Sequence, residues 1–362
     1  MVKMSHMDRI AALVDDALAS GLGSAAAVSV GDGGREIFRH VAGMSRRVPD
    51  RGPALDDHAM FDLASLTKPM ATVAIAMVLA GERRLDLDAQ VRTYLPAAAT
   101  TATVRQLLAH GAGCAAHVEF FRQLRALRPA DPRADLVQRA MREPCDAVGA
   151  VYSDLGYIQL GVLLERAAGM PLEAAFAGLV AEPLGLTARY APTAIEHAVA
   201  TELDERGLVC GLVHDENCYY GGRIAGHAGL FATIEDVARF AAAMVETAAG
   251  SARGRFEPEV VTHFFTDAPS HSTWRLGWDS PSPTLGISQA GDRWPRTGAV
   301  GHTGFTGTSL WLDLAHRRWV ALLTNRVHPT RHAGTAEAIK ALRRAVNDAV
   351  VELLSAARPP TH

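Results

Sequence analysis

Residues 62–70 read DLASLTKPM, with Ser65 and Lys68 three residues apart. A serine and a lysine at i and i+3 project from one face of a helix. They stand at the head of an apolar run, Met70–Gly81, patterned as if for burial. Two readings are open. In the first, this is an ordinary helix start, with an N-terminal serine and a solvated lysine. In the second, Ser65 is a nucleophile: the unpaired N–H groups of a helix start favour developing negative charge, and an ammonium held close lowers the hydroxyl's pKa or relays its proton. Pro69 suits either reading, because the first helical turn lacks N–H partners anyway.

Working outward, residues 7–20 carry helical spacing at Ile10, Leu13, Val14 and Leu18. SAAAVSVGDGGREIFRHVAG (24–43) reads as two short strands around a Gly-rich turn at 31–34. From Met70 to about Gly226 the pattern is mostly helical, as in IQLGVLLERAAG (158–169) and PLEAAFAGLVAEPLG (171–185). The charged segment 112–142 gives no clear assignment. Later, TIEDVARFAAAMV (233–245) predicts a helix capped by Thr233 with Asp236 at the capping-box position. TSLWLDL (308–314) and WVALLTN (319–325), joined by AHRR, predict a hairpin, and a closing helix is expected over 335–356. Strands at both ends with helices between them imply an α/β fold of the α+β type. One antiparallel sheet is built from the two termini (1–68 with 227–362), a mostly helical lobe (69–226) is inserted, and Ser65 falls at the seam, where ligand clefts usually lie.

The bulk composition narrows the function. The 362 residues are 48% hydrophobic and 21% charged with a formal net charge of −3, which fits a folded globular protein with no electrostatic pull toward nucleic acid or an anionic membrane. A small-molecule partner is expected; the oligomeric state is left open. Four scattered cysteines, Cys114, Cys145, Cys210 and Cys218, form no C-x-x-C pair and no disulfide framework, although one bridge stays possible. The N-terminal stretch lacks a cleavable apolar core, and the longest apolar run falls short of a bilayer span, so a soluble, cytoplasmic protein is expected.

Two further motifs bear chemistry. In VYSDLGYIQLG (151–161), Tyr152 precedes a helix expected to begin around Gly156; a phenol at such a junction can accept a serine's proton if cations depress its pKa, or it can be a half-buried tyrosine with one hydrogen bond. In GHTGFTGTSLWLDL (301–314), His302, Thr303 and Gly304 lead into a strand. Gly304 permits close approach of a substrate, the Phe305 N–H could pair with that of Ser65 as an oxyanion hole, and His302 could orient substrate or carry a proton near neutral pH.

S-x-x-K, then Y-S-D, then H-T-G in that order resembles the class C β-lactamase superfamily of serine hydrolases, which includes penicillin-binding-protein-like peptidases, D-aminopeptidases and family VIII carboxylesterases. The likeness runs through LDLDAQVRTYLP, TVRQLLAHGAG, EPLGL and GHAGLFATIEDVARFAAAMV as well. It implies a β-lactamase/transpeptidase-like fold and an acyl-enzyme on Ser65, with Lys68 as its partner, Tyr152 as general base, the Ser65 and Phe305 N–H groups as oxyanion hole, and no cofactor. The chain departs from the β-lactamase pattern twice. Asp154 replaces the usual Asn, so it offers acceptors only; it could neutralise Lys68 or meet a cationic substrate group. His302 replaces the K-T-G lysine, which argues for ester or small-amide hydrolysis and against efficient β-lactam hydrolysis. A D-amino-acid or cell-wall peptidase, and a non-catalytic binding module, are the alternatives.

In GLVHDENCYYGGRIAGHAGLF (211–231), His214, Asp215, Glu216 and His227 invite a metal reading, but their spacing matches no compact zinc motif and the segment reads as a cleft-lining loop. His110 is expected to shape the cleft, and Trp274 and Trp278 form either an apolar wall or core packing.

Overall fold

The computed structural model describes residues 6–190, 196–269 and 272–356. Its centre is a five-stranded antiparallel sheet drawn from both ends of the chain. The strands are β1 (Ala25–Asp32), β2 (Arg35–Gly43), β3 (Ala299–Thr303), β4 (Ser309–Asp313) and β5 (Arg318–Thr324), in the order β2-β1-β5-β4-β3. The β1–β5 register places Val28 opposite Leu322 and Val30 opposite Val320. Period-two alternation then sorts the side chains to two faces. Ala26, Val28, Val30, Val320 and Leu322 pack against the terminal helices His6–Ala19 and Thr335–Ala356. Ala25, Ala27, Ala321 and Leu323 face the larger core, shared with the helices Ala74–Gly81 and Ile234–Ala248. A sheet covered by helices on both faces explains the apolar composition of β1, β4 and β5.

The expected elements largely form. Both hairpins are present, Thr233 and Asp236 cap their helix as a reciprocal box, and the closing helix spans Thr335–Ala356. The region 70–226 is less purely helical than its periodicity implies: Ala200–Asp204 pairs with Gly207–Cys210 as a hairpin, and Arg189–Tyr190 joins a small sheet with Phe61–Asp62 and Leu230–Ala232. The unassigned 112–142 stretch holds two helices, Phe121–Leu127 and Pro132–Arg142, the second capped by Asp131 with Pro132 in its first turn. Cys114 and Cys145 are disulfide-bonded. Disulfides persist mainly in oxidising compartments, so this pair lends no support to a cytoplasmic location. One stretch among the described residues, Ala64–Gly81, is long and apolar enough to cross a membrane; 83% of it is buried within the protein, as a core helix is.

Candidate active site

Ser65 sits at a strained junction. The strand Phe61–Asp62 runs into a single 3₁₀ turn (Ala64–Leu66), a π-helical turn follows (Lys68–Val73), and only then does a regular α-helix begin. Ala64, immediately before Ser65, has φ = 47°, a conformation costly for any residue with a Cβ. The surroundings hold it there. Asp62 Oδ1 accepts from the Ala64 N–H (2.8 Å), Thr306 Oγ1 donates to the Asp62 carbonyl (2.8 Å), and Thr308 Oγ1 donates to the Leu63 carbonyl (2.9 Å). Gly304 completes the join: a Cβ there would lie 2.5 Å from the Leu63 carbonyl oxygen and 2.1 Å from Thr308 Oγ1. The turn after β3 is thereby stitched to the turn that presents Ser65.

Lys68 is entirely buried, which rules out a solvated lysine. Its Nζ donates to Ser65 Oγ (2.8 Å), to Asp154 Oδ1 (2.7 Å) and to the His227 carbonyl (3.2 Å), and the Tyr152 hydroxyl also lies within hydrogen-bonding reach. Burial alone would push the ammonium pKa down; the Asp154 carboxylate and Tyr152 outweigh it, and the net value is raised. Lys68 is therefore a charged donor toward Ser65. Asp154 is held well below the usual carboxylate range, the Lys68 charge outweighing the cost of burial. Of the two roles open to Asp154, the geometry realises neutralisation of Lys68, with His117 Nδ1 at 3.4 Å from its other oxygen.

Tyr152 is delivered two residues before a helix that starts at Asp154, earlier than the periodicity placed it. Ser153 is the cap: its Oγ accepts from the Gly156 N–H and donates to the Ala115 carbonyl. The Tyr152 ring centroid lies 4.8 Å from Lys68 Nζ, and the phenol interacts electrostatically with Lys68 and Ser65. Burial, with Asp154 adding to it, raises the phenol above its ordinary value against the opposing pull of Lys68 and Ser65. The ring is held between His110 (4.6 Å), Trp274 (5.2 Å) and His302 (5.9 Å). His110 does not itself line the cleft; it is buried behind the Tyr152 ring and accepts from the Ser153 N–H on Nδ1 (3.0 Å).

His302 lies within β3 rather than ahead of a strand, and it is 2% exposed. Its Nδ1 contacts the Thr303 carbonyl at 2.9 Å, so Nδ1 carries the proton and Nε2 is left as a buried acceptor without a partner among the described residues. Burial, aided by repulsion from Lys68, lowers its pKa to about 3. The imidazole is neutral throughout the range in which an unperturbed histidine titrates, so the protonation role near neutral pH does not hold. A consequence for stability follows. Below about pH 6.5 the unfolded chain protonates His302, while the native state cannot until about pH 3, so stability present above 6.5 is lost as the pH falls. His110 and His328 are lowered in the same direction. His302 alone accounts for roughly 2–3 kcal/mol lost between pH 6.5 and 4.5. Urea-unfolding midpoints measured at the two pH values check this, and His302→Asn should flatten the dependence.

These groups open onto a cleft of about 570 Å³ lined by Ser65, Tyr152, Asp154, His302, Thr303, Gly304 and Phe305. Trp274 lines it too, whereas Trp278 is fully buried against Phe240 and Phe265 and is core. His214, Asp215 and Glu216 reach the cleft; His227 instead contacts Asp215 Oδ1 through Nε2 at 3.0 Å. Among the described residues no group of three or more His, Cys, Asp or Glu is arranged to hold a metal ion.

Residues 10–344 match the Beta-lactamase family. The chain belongs to that family. A provisionally named D-alanyl-D-alanine carboxypeptidase of Escherichia coli (strain K12) is 28% identical over 307 residues, covering 74% of this chain and 69% of that protein. The fold is shared with an octameric penicillin-binding protein homologue from Pyrococcus abyssi (TM-score 0.69, 18% identity, 88% and 73% covered). It is shared equally with EstCE1, a hydrolase with promiscuous acyltransferase activity (TM-score 0.70, 21% identity, 96% and 98% covered). The protein is a serine hydrolase of the β-lactamase superfamily by family and by relatives.

His117, Arg326 and Arg343 also line the cleft, and no sequence motif marks them. His117 fell in the unassigned segment. The two arginines lie far along the chain, in no motif, and only the fold brings them to the cleft.

Proposed function

We propose that this chain hydrolyses small esters or amides through an acyl-enzyme on Ser65, in a cleft at the seam between a sheet lobe (1–68 with 227–362) and a helical lobe (69–226). The observation that carries it is the gathering of one hydroxyl, one ammonium and one phenol: Ser65 Oγ lies 2.8 Å from Lys68 Nζ, and the same ammonium lies 4.8 Å from the centroid of the Tyr152 ring. Because Lys68 is a charged donor, the proton leaving Ser65 goes to Tyr152, and the same phenol returns it to the leaving group. The negative oxygen formed on attack is met by the N–H groups of Ser65 and Phe305, neither of which has another acceptor among the described residues. Neutral His302 offers Nε2 as an acceptor for a substrate N–H or O–H, and Thr303 and Gly304 line the cleft beside it, although the missing side chain of Gly304 makes way for Leu63 and Thr308 rather than for substrate.

A second reading, a D-amino-acid carboxypeptidase, is favoured by one observation besides the relative's name. Arg326 is 6% exposed at the cleft, stacks on Phe305 at 4.6 Å and forms no ion pair among the described residues, which suits a substrate carboxylate. Rates on p-nitrophenyl acyl esters, D-alanine p-nitroanilide and a D-alanyl-D-alanine peptide separate the two. Ester preference supports the first reading, release of D-alanine the second, and inactivity on all three contradicts both.

The charge at Asp154 makes a specific demand on the pH profile. With the Tyr152 phenol raised, the active phenolate is a minor species at neutrality, so kcat/KM climbs into the alkaline range. Asp154→Asn removes the carboxylate that holds both the phenol and the ammonium up, and the Lys68–Tyr152 pair then gives up its proton more readily. The ascending limb is expected to move toward acid, the direction in which loss of one near negative charge acts. Profiles of both proteins on a non-ionising ester check it; an unmoved limb would show that Asp154 does not tune the base.

A further inference from the structure

Arg343 projects from the closing helix into the floor of the cleft and is 4% exposed. Its guanidinium forms no ion pair among the described residues. One terminal nitrogen donates to two backbone carbonyls, Gly304 and Thr308, each at 2.8 Å, and the other donates to Gln289 Oε1 at 2.5 Å. Burying an uncompensated cation is costly; burial and repulsion from Arg326 lower its pKa to about 9, which leaves it charged at neutrality. A fold that needed only to tie a turn together could do so with a neutral amide.

The carbonyl chosen is informative. Gly304 C=O and Phe305 N–H belong to one peptide unit, delocalised across the C–N bond. A charge-assisted hydrogen bond to the oxygen draws electron density along the unit and strengthens the N–H at its far end as a donor. The same turn is fixed from the other side: the Gly304 N–H donates to the Thr308 carbonyl (2.7 Å), Thr308 Oγ1 holds Leu63, and Arg326 Nε holds the Phe305 carbonyl (2.8 Å).

We infer that Arg343 is a positioning residue that polarises the Gly304–Phe305 peptide, so that the Phe305 N–H becomes a stronger donor to the negative oxygen formed when Ser65 attacks an acyl group. The inference rests on the Ser65–Phe305 oxyanion reading given above. The cation acts only through the peptide and the field behind it, and its stabilisation grows as charge develops on the substrate oxygen. Ground-state binding is largely untouched.

The test compares Arg343→Met, Arg343→Lys and Gln289→Ala in the full chain. Arg343→Met is expected to lower kcat about 10- to 100-fold with KM within about threefold, the weight of a group one bond removed from a reacting one. Its affinity for a phenylboronic acid, which forms a tetrahedral adduct on Ser65, should fall in the same proportion. The carbonyl stretch of its trapped acyl-enzyme should shift to higher frequency, reporting a less polarised ester. Arg343→Lys keeps the charge and should recover part of each effect. Gln289→Ala leaves the charge on the carbonyl and should lose less than about threefold. If Arg343→Met does not fold, the Lys and Gln289 variants still decide the matter by carbonyl frequency. The inference is overturned if the acyl-enzyme carbonyl band and boronate affinity stay at wild-type values, or if boronate and substrate binding weaken equally. Failure to trap Ser65 in the wild-type chain would instead overturn the hydrolase reading itself.

Discussion

Ser65→Ala is expected to reduce kcat by at least about 10³-fold on any ester or amide the wild-type protein turns over, while the fold stays intact. Among the described residues Ser65 supplies the only hydroxyl to which Lys68 Nζ donates within 3 Å, so no neighbouring group inherits its place. A residual rate above water is expected, because the backbone donors of the oxyanion hole and the cleft itself stay in position. Stability should change little. Lys68 loses one acceptor but keeps Asp154 and the His227 carbonyl, and a single hydrogen bond contributes about 1 kcal/mol. Thermal unfolding beside steady-state rates checks both halves. A variant that unfolds would say nothing about nucleophilicity, whereas a folded variant of normal activity would end the proposal.

Tyr152→Phe is expected to cost about 10²–10⁴ in kcat, the range of one general acid–base group. The phenyl ring retains its contacts with His110, Trp274 and His302, so the cleft wall survives and KM should hold. Only the phenol hydroxyl disappears. The remaining rate should also lose its alkaline rise, since that rise comes from ionising the phenol. If the rise persisted in the Phe variant, the base would be Lys68, deprotonated in a minority of molecules. Paired pH–rate profiles of the two proteins distinguish these outcomes.

The parts of this fold that could be read in the chain are those whose cause is local. The β1–β2 and β4–β5 hairpins declare themselves by alternating apolar residues around short polar turns, and the Thr233–Asp236 box marks a helix start within four residues. Ser65, Lys68 and Tyr152 could be read because their motifs stand in family order. What could not be read depends on distant partners. Segment 112–142 is charged because its helices lie on the surface, which blurs the apolar stripe, although Asp131–Pro132 carried a capping signal that marks the second of them. His302 looked like a titrating residue until its burial was known, and nothing in its neighbours along the chain foretells that. Trp274 and Trp278 are four residues apart, yet one lines the cleft and the other fills the core. Cys114 and Cys145 are 31 residues apart and pair because residues 110–114 run antiparallel beside 145–151, the Ala147 N–H donating to the Gly113 carbonyl and the Val151 N–H to that of His110. Arg343, placed under the Gly304 carbonyl by the closing helix, had no motif to announce it.

Acylation of the Ser65 hydroxyl is read by intact mass. The wild-type chain is incubated with a fluorophosphonate, and the labelled peptide is then mapped. One adduct per chain, located on Ser65 and absent from Ser65→Ala, is expected. An unmodified wild-type chain, or an adduct on any other residue, would contradict a Ser65 nucleophile.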